Sequence, residues 1–151
     1  MAHQLSRTSK LALAIKRTTA VSSSDTVAST GWDMTGFQSV RAIVALGQTS
    51  ADGIGVLAIQ GSTASTGTFA TLSGSTSATV QTTTGLMDGL LVVDVNRVMN
   101  NRYVRATFGA NGTTVVQHGG VILEFYNPTN VPTTDDSTSM LVAQKVVWET
   151  T

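Results

Sequence analysis

From Gly31 onward, large aliphatic residues alternate with polar or small ones in short runs, and Gly, Asn, Ser and Thr separate the runs. Period-two spacing sends successive side chains to opposite faces of an extended chain, so the regular interruptions predict the short antiparallel strands of a sandwich or barrel. "QSVRAIVALG" (38–47) is the first clear strand and "GIGVLAIQGS" (53–62) the second, with Asp52-Gly53 between them supplying hairpin turn chemistry. "TGTFATLSG" and "SATVQTTTG" read as two weaker, more polar strands. "GLLVVDVNRV" sets Leu91, Val93 and Val95 on one face and Asp94 and Asn96 on the other. "NRYVRATFG" turns Val104, Ala106 and Phe108 one way and Tyr103, Arg105 and Thr107 the other. After Asn111-Gly112, the strongest short hairpin signal in the chain, "TTVVQHGGVILEFYN" alternates Val121, Leu123 and Phe125 with Ile122, Glu124 and Tyr126. Gly119-Gly120 in its middle predicts a bulge or a close backbone approach.

The two ends differ from this pattern. In "SKLALAIKR" the large residues Leu11, Leu13 and Ile15 fall at period two, which favours an extended arm; a helix capped by Ser9 is the competing reading. At the other end "NPTNVPTTDDSTS" reads as a long connection, and "MLVAQKVVWETT" has apolar residues in both phases: Met140, Val142, Val146 and Trp148 in one, Leu141, Ala143 and Val147 in the other. Strands at chain ends fray unless they join a sheet. The expected organisation is therefore a basic N-terminal arm (1–25), an antiparallel β-sandwich core (26–128) and a C-terminal connection with a tail strand (129–151).

Composition supports the all-β reading and changes the picture of the surface. The 151 residues include 25 Thr and 15 Ser but only 12% charged side chains, against roughly 25% in a typical soluble domain. Threonine suits a pleated, half-exposed surface, and organised Val, Ile and Leu runs argue against disorder. A surface so poor in charge repels its neighbours weakly, as expected of one that a partner covers. Nine basic and nine acidic residues cancel, which argues against nucleic-acid or membrane binding by the domain, although Arg7, Lys10, Lys16 and Arg17 precede the first acid and make the arm locally +4. There is no cysteine, "LALAIKR" is too short for a signal-peptide core, and the expected place of synthesis is a cytoplasm.

Candidate chemistry is sparse. The two histidines, His3 and His118, cannot form a ligand cluster by sequence neighbourhood, and His118 beside two glycines reads as a surface or bulge residue; a small hydrolase using His118 is the enzyme alternative. No "GxSxG" occurs, "GQTSADGIG" lacks a phosphate loop's lysine, and Asp135-Asp136 reads as loop solvation. No cofactor is expected. A glycan-binding module would need Trp32, Tyr103 and Tyr126 on one exposed surface. For Arg102 and Arg105, out of phase with each other, the plain expectation is pairing with Asp or Glu on a neighbouring strand.

At "TGWDMTGFQSVRAIVALG" (30–47) and "NRYVRATFG" (101–109) the chain resembles small virion proteins of tailed bacteriophages: an Asp, a short spacer, Gly and an aromatic (Asp33, Gly36, Phe37), a strand ending in Gly47, then Arg102, Tyr103, Val104 and Arg105. The resemblance spans about residues 25 to 127. It implies a capsid decoration, or cement, protein: a jelly-roll-like sandwich, homotrimeric on the outer capsid surface, whose partner is the major capsid protein. Arg7, Lys10, Leu11, Leu13, Ile15, Lys16 and Arg17 would then contact the capsid, and Arg41, Arg102, Tyr103, Arg105 and Trp148 a neighbouring subunit. Deleting residues 1 to 20 should abolish capsid binding and leave a folded oligomer. A phage tail or receptor-binding module that recognises a host glycan is the alternative.

Overall fold

A computed structural model describes residues 9–17, 21, 25–49, 54–73, 75, 78–81, 89–98, 100–111 and 115–129. All its regular structure is β. The strands are β1 (Lys10–Ile15), β2 (Thr26–Ala28), β3 (Trp32–Asp33), β4 (Phe37–Thr49), β5 (Ile54–Ser62), β6 (Ala70–Thr71), β7 (Ala78–Gln81), β8 (Gly89–Val95), β9 (Tyr103–Asn111) and β10 (Val116–Pro128). Sheet A has the order β1-β10-β4-β8; sheet B has β2-β9-β5-β6, with β3 also on β9 and β7 also on β5. Every pairing is antiparallel.

If β2 with β3, and β6 with β7, are each taken as one interrupted strand, eight strands remain. Their sheet orders are first-eighth-third-sixth and second-seventh-fourth-fifth. That is the jelly-roll order of two packed Greek keys, so the protein is an all-β antiparallel sandwich. The core between the sheets follows the period-two pattern: Val40, Ala42 and Val44 of β4, Leu91 and Val93 of β8, and Val121, Leu123 and Phe125 of β10 face Leu57 and Ile59 of β5 and Val104, Ala106 and Phe108 of β9. Truncating a fully buried ring such as Phe108 would cost about 3–5 kcal/mol.

Three expectations are corrected. Asp52-Gly53 and Asn111-Gly112 do not join hairpin partners: β4 lies in sheet A and β5 in sheet B, β9 in sheet B and β10 in sheet A. Turn chemistry reverses the chain, but whether the next strand stays in the sheet is decided by where its apolar face is buried. In "TGTFATLSG" the strand is cut to Ala70–Thr71, which pairs with β5 at the edge of sheet B, and the Leu72 N–H donates to the Ile59 carbonyl at 3.1 Å. The N-terminal segment is no free arm: β1 pairs with β10, and Ala12 and Ile15 are 2% and 4% exposed in the core. The core therefore begins before residue 26. A bulge between Leu13 and Ile15 changes the phase, so Ile15 faces inward while Leu11 and Leu13 share the outer face with Glu124 and Ile122. The tail at 130–151 lies outside the described residues.

The bulge expected at Gly119-Gly120 is present, as register shifts between His118 and Val121 on β4. Gly120 sits at φ +100°, and a Cβ there would lie 2.9 Å from the Ile15 carbonyl oxygen, so only glycine fits. His118, read as a surface or bulge residue, is at the bulge but buried, 2% exposed. Its Nδ1 accepts the Gly120 N–H at 3.1 Å and its ring lies 4.9 Å from that of Phe108. Burial holds its pKa below the usual imidazole value.

Candidate functional site

The outer face of sheet A is the unusual surface. Cross-strand partners share a face, so register alone lines up Leu13 of β1, Ile122 of β10, Ile43 of β4 and Val92 of β8 across all four strands. Beside this row, Ala45 pairs with Leu90. Leu90 is 68% exposed, Val92 45% and Ile122 42%. The row spans three strand spacings, roughly 14 Å.

One register step away runs a charged row: Leu11, Glu124, Arg41 and Asp94. The Arg41 guanidinium donates to Asp94 Oδ2 from Nη2 at 2.6 Å and Nε at 2.9 Å, and reaches Glu124 at 3.5 Å. The Tyr126 hydroxyl donates to the other Asp94 oxygen, and its ring lies 5.5 Å below the guanidinium. Partial burial, followed by the bond to Asp94, pushes the Tyr126 hydroxyl up to about 12. Arg41 is thus held by its two neighbouring strands, and the cluster borders the aliphatic row instead of interrupting it. Past the end of β1, Lys16 and Arg17 are exposed; Lys10 is half-buried in register with inward-facing Phe125. Arg7 and Trp148 lie outside the described residues.

Sheet B presents a different outer face. Its outward residues on β9 and β5 include Tyr103, Arg105, Thr107, Ala58 and Gln60, with half-buried Ile54 and Val56 in the same phase of β5. Arg105 Nε donates to Gln60 Oε1 at 2.7 Å, and its guanidinium lies 4.6 Å from the Phe69 ring centroid. Arg102 pairs with Asp33 at 2.9 Å and covers the Tyr103 ring at 5.3 Å. Asp33 Oδ1 also accepts the Thr35 N–H and hydroxyl at 2.8 and 2.7 Å. These donors, Arg102 first, hold the Asp33 carboxyl down to about 2.

The two stretches that carry the virion-protein resemblance are therefore one physical unit. β3 pairs Trp32 with Val104 and Asp33 with Tyr103, the Met34 N–H donates to the Arg102 carbonyl at 2.8 Å, and Gly36 turns the chain at φ +91° into Phe37. Phe37 packs at 6.1 Å from Phe125, and the Thr129 N–H donates to the Gly36 carbonyl at 2.8 Å. Arg102 meets an acid on a neighbouring strand, as expected; Arg105 meets an amide and a ring instead. Both are engaged within the chain.

Trp32, Tyr103 and Tyr126 do not share a surface: Trp32 is in the inward phase against the core, Tyr103 faces out from sheet B and Tyr126 from sheet A. Among the described residues no group of three or more His, Cys, Asp or Glu side chains could hold a metal ion, and no helix is long and apolar enough to cross a membrane. Sequence reasoning missed the aliphatic row, although alternation already sets Ile122 on the side of Glu124 and Tyr126.

No family model matches the chain, and no curated protein matches it. Among solved structures it is similar to the PBSX exported protein XepA, with a TM-score of 0.48 and 16% identity over 99% of this chain and 46% of that one. It is also similar to the CBM22-1–GH10 modules of the Clostridium thermocellum endo-1,4-β-D-xylanase 10B, solved with xylohexaose, with a TM-score of 0.47 and 10% identity over 84% of this chain and 26% of that one. The chain spans less than half the length of either.

Proposed function

We propose that this chain is a non-enzymatic structural protein of a tailed-phage virion, a homotrimeric decoration protein that binds the major capsid protein on the outer capsid surface and cements adjacent capsomers. The observation that carries the reading is the aliphatic row Leu13, Ile122, Ile43 and Val92, laid across a whole sheet face of a charge-poor protein. Val92 and Ile122 of this row and Leu90 beside it are exposed while Leu13 and Ile43 are half-buried, and apolar side chains exposed together on one face favour a contact between proteins. Arg41, Asp94 and Glu124 form the polar rim that such a contact needs, and exposed Lys16 and Arg17 can steer the domain toward an acidic surface before apolar contact forms.

Because β1 is a core strand, removing residues 1 to 20 would damage the fold and could not isolate binding. The test is co-sedimentation with capsids assembled from the major capsid protein of the same genome. The wild-type chain should bind saturably, and Ile122→Glu, still folded, should bind at least tenfold more weakly. A wild-type chain that stays in the supernatant contradicts the reading.

A further inference from the structure

Two irregularities meet where β1 docks. On β10 the register shifts between His118 and Val121, on β1 it shifts between Leu13 and Ile15, and Ile15 is in register with Val121. The Gly120 backbone is pressed against β1 there. A Cβ built on it would lie 2.9 Å from the Ile15 carbonyl oxygen and 3.4 Å from both the Arg17 nitrogen and Leu13 Cδ1, so the two chains have no slack at this point.

A side chain holds the bulge in shape. Gly120 has no register partner on β1 or β4, and its buried N–H donates instead to His118 Nδ1 at 3.1 Å. A backbone N–H can only donate, so Nδ1 is the bare nitrogen and the neutral ring carries its hydrogen on Nε2. Whatever Nε2 donates to, it donates in either charge state; Nδ1 accepts only while the ring is neutral. Protonation there sets N–H against N–H and leaves a buried backbone donor unsatisfied.

Burial against Phe108 keeps the ring neutral, with 2% of the residue exposed and its pKa held below the usual value. Among the described residues no titratable side chain faces it from β4, which brings Ala45 and Leu46, from β9, which brings Phe108, or from Val21, bridged to Val116. Lys16 and Arg17 after β1 and Asp25 before β2 are exposed. The two flanks of the bulge yield unequally. β4 is paired on both sides, by β10 and β8, whereas β1 is six residues long and, among the described residues, pairs only with β10. A distortion at Gly120 is therefore relieved by letting β1 go, and Leu11 and Leu13 go with it.

We infer that His118 is a proton-operated latch: its neutral Nδ1 holds the Gly120 bulge on which β1 docks, and protonation releases β1 locally and takes Leu13 out of the aliphatic row. The latch is a property of the free chain, so it can fail with the capsid-binding reading intact, and the reverse. Hydrogen exchange of the full-length protein, corrected for intrinsic rates, tests it. The released state takes up a proton that the docked state resists, so opening of β1 should rise by up to about tenfold for each pH unit below about 6.5. From about pH 7.5 to about pH 5, exchange across residues 10–15 should speed at least about threefold, and low urea should not change it, as a local opening requires. Exchange that does not speed, or that carries the urea slope of global unfolding, overturns the inference. His118→Gln offers Gly120 an acceptor that does not titrate and should hold β1 at both pH values; the wild-type acceleration in that variant overturns the latch. Independently of that variant, nitrogen chemical shifts of the ring in a His3→Gln background, where His118 is the sole histidine, should show Nδ1 bare and Nε2 protonated at about pH 7.5. A neutral ring with its proton on Nδ1 overturns the latch as well.

Discussion

The outer faces of the two sheets are made from the same alternating strands and end up with opposite characters. On sheet B the outward positions are small, hydroxylated or already engaged, apart from half-buried Ile54 and Val56 on β5: Arg105 is held by Gln60 and lies on Phe69, and Arg102 is held by Asp33. On sheet A the charges are confined to one row around Arg41, and the next row is aliphatic from β1 to β8. Charge satisfied inside one face leaves nothing there for a partner to desolvate profitably, whereas exposed Leu90, Val92 and Ile122 gain by being covered. Arg102 and Arg105 belong to the self-contained face, and the contact surface we propose lies on the other.

The largest effect should come from breaking the aliphatic row. Val92→Glu combined with Ile122→Glu is expected to weaken capsid binding about 100-fold, about 2.7 kcal/mol, in co-sedimentation. Both side chains point to solvent, so thermal unfolding should show less than about 0.5 kcal/mol of lost stability. Gly120→Val attacks the bulge that lets β10 span the sheet. The strained φ and the nearby Ile15 carbonyl should destabilise the domain by about 2 kcal/mol, read from a urea midpoint. On sheet B, Arg105→Ala should leave binding unchanged and cost about 1 kcal/mol or less, from a lost hydrogen bond and ring contact.

The smallest effects separate the sheets by pH. His118 of sheet A has a folded pKa below its unfolded value of 6.5, so the unfolded chain binds the extra proton and stability should begin to fall as pH drops below about 6.5. Asp33 of sheet B has a folded value of about 2 against 3.8, so its contribution is present above about 3.8 and is lost as pH falls toward 2. Since Asp33 is 40% exposed, that second limb should be shallow and weakened further by salt. His118→Gln should remove the first limb and Asp33→Asn the second in pH-dependent melting curves.

Much of the sandwich was legible because burial enforces alternation: the inward sets on β8, β9 and β10 fall where the periodicity put them. What the pattern could not carry was strand order. Asp52-Gly53 and Asn111-Gly112 announce reversals but do not say that each crosses between sheets. The bulge on β1 exchanges the phase of a lysine-flanked segment without any glycine or proline to mark it. The aliphatic row is harder still, since Leu13, Ile43, Val92 and Ile122 are far apart in sequence and meet only through register. Conversely, the Asp33 and Arg102 stretches stood out in the sequence, and their meeting explains why: they form one turn-and-strand unit at the end of the sandwich.

Hydroxyl-radical footprinting of the protein free and bound to capsids compares the two faces most directly. Modification of Leu90, Val92 and Ile122 should drop severalfold on binding while Tyr103 stays as reactive as in the free chain. Protection of Tyr103 with Leu90, Val92 and Ile122 unchanged would place the contact on sheet B and contradict the account.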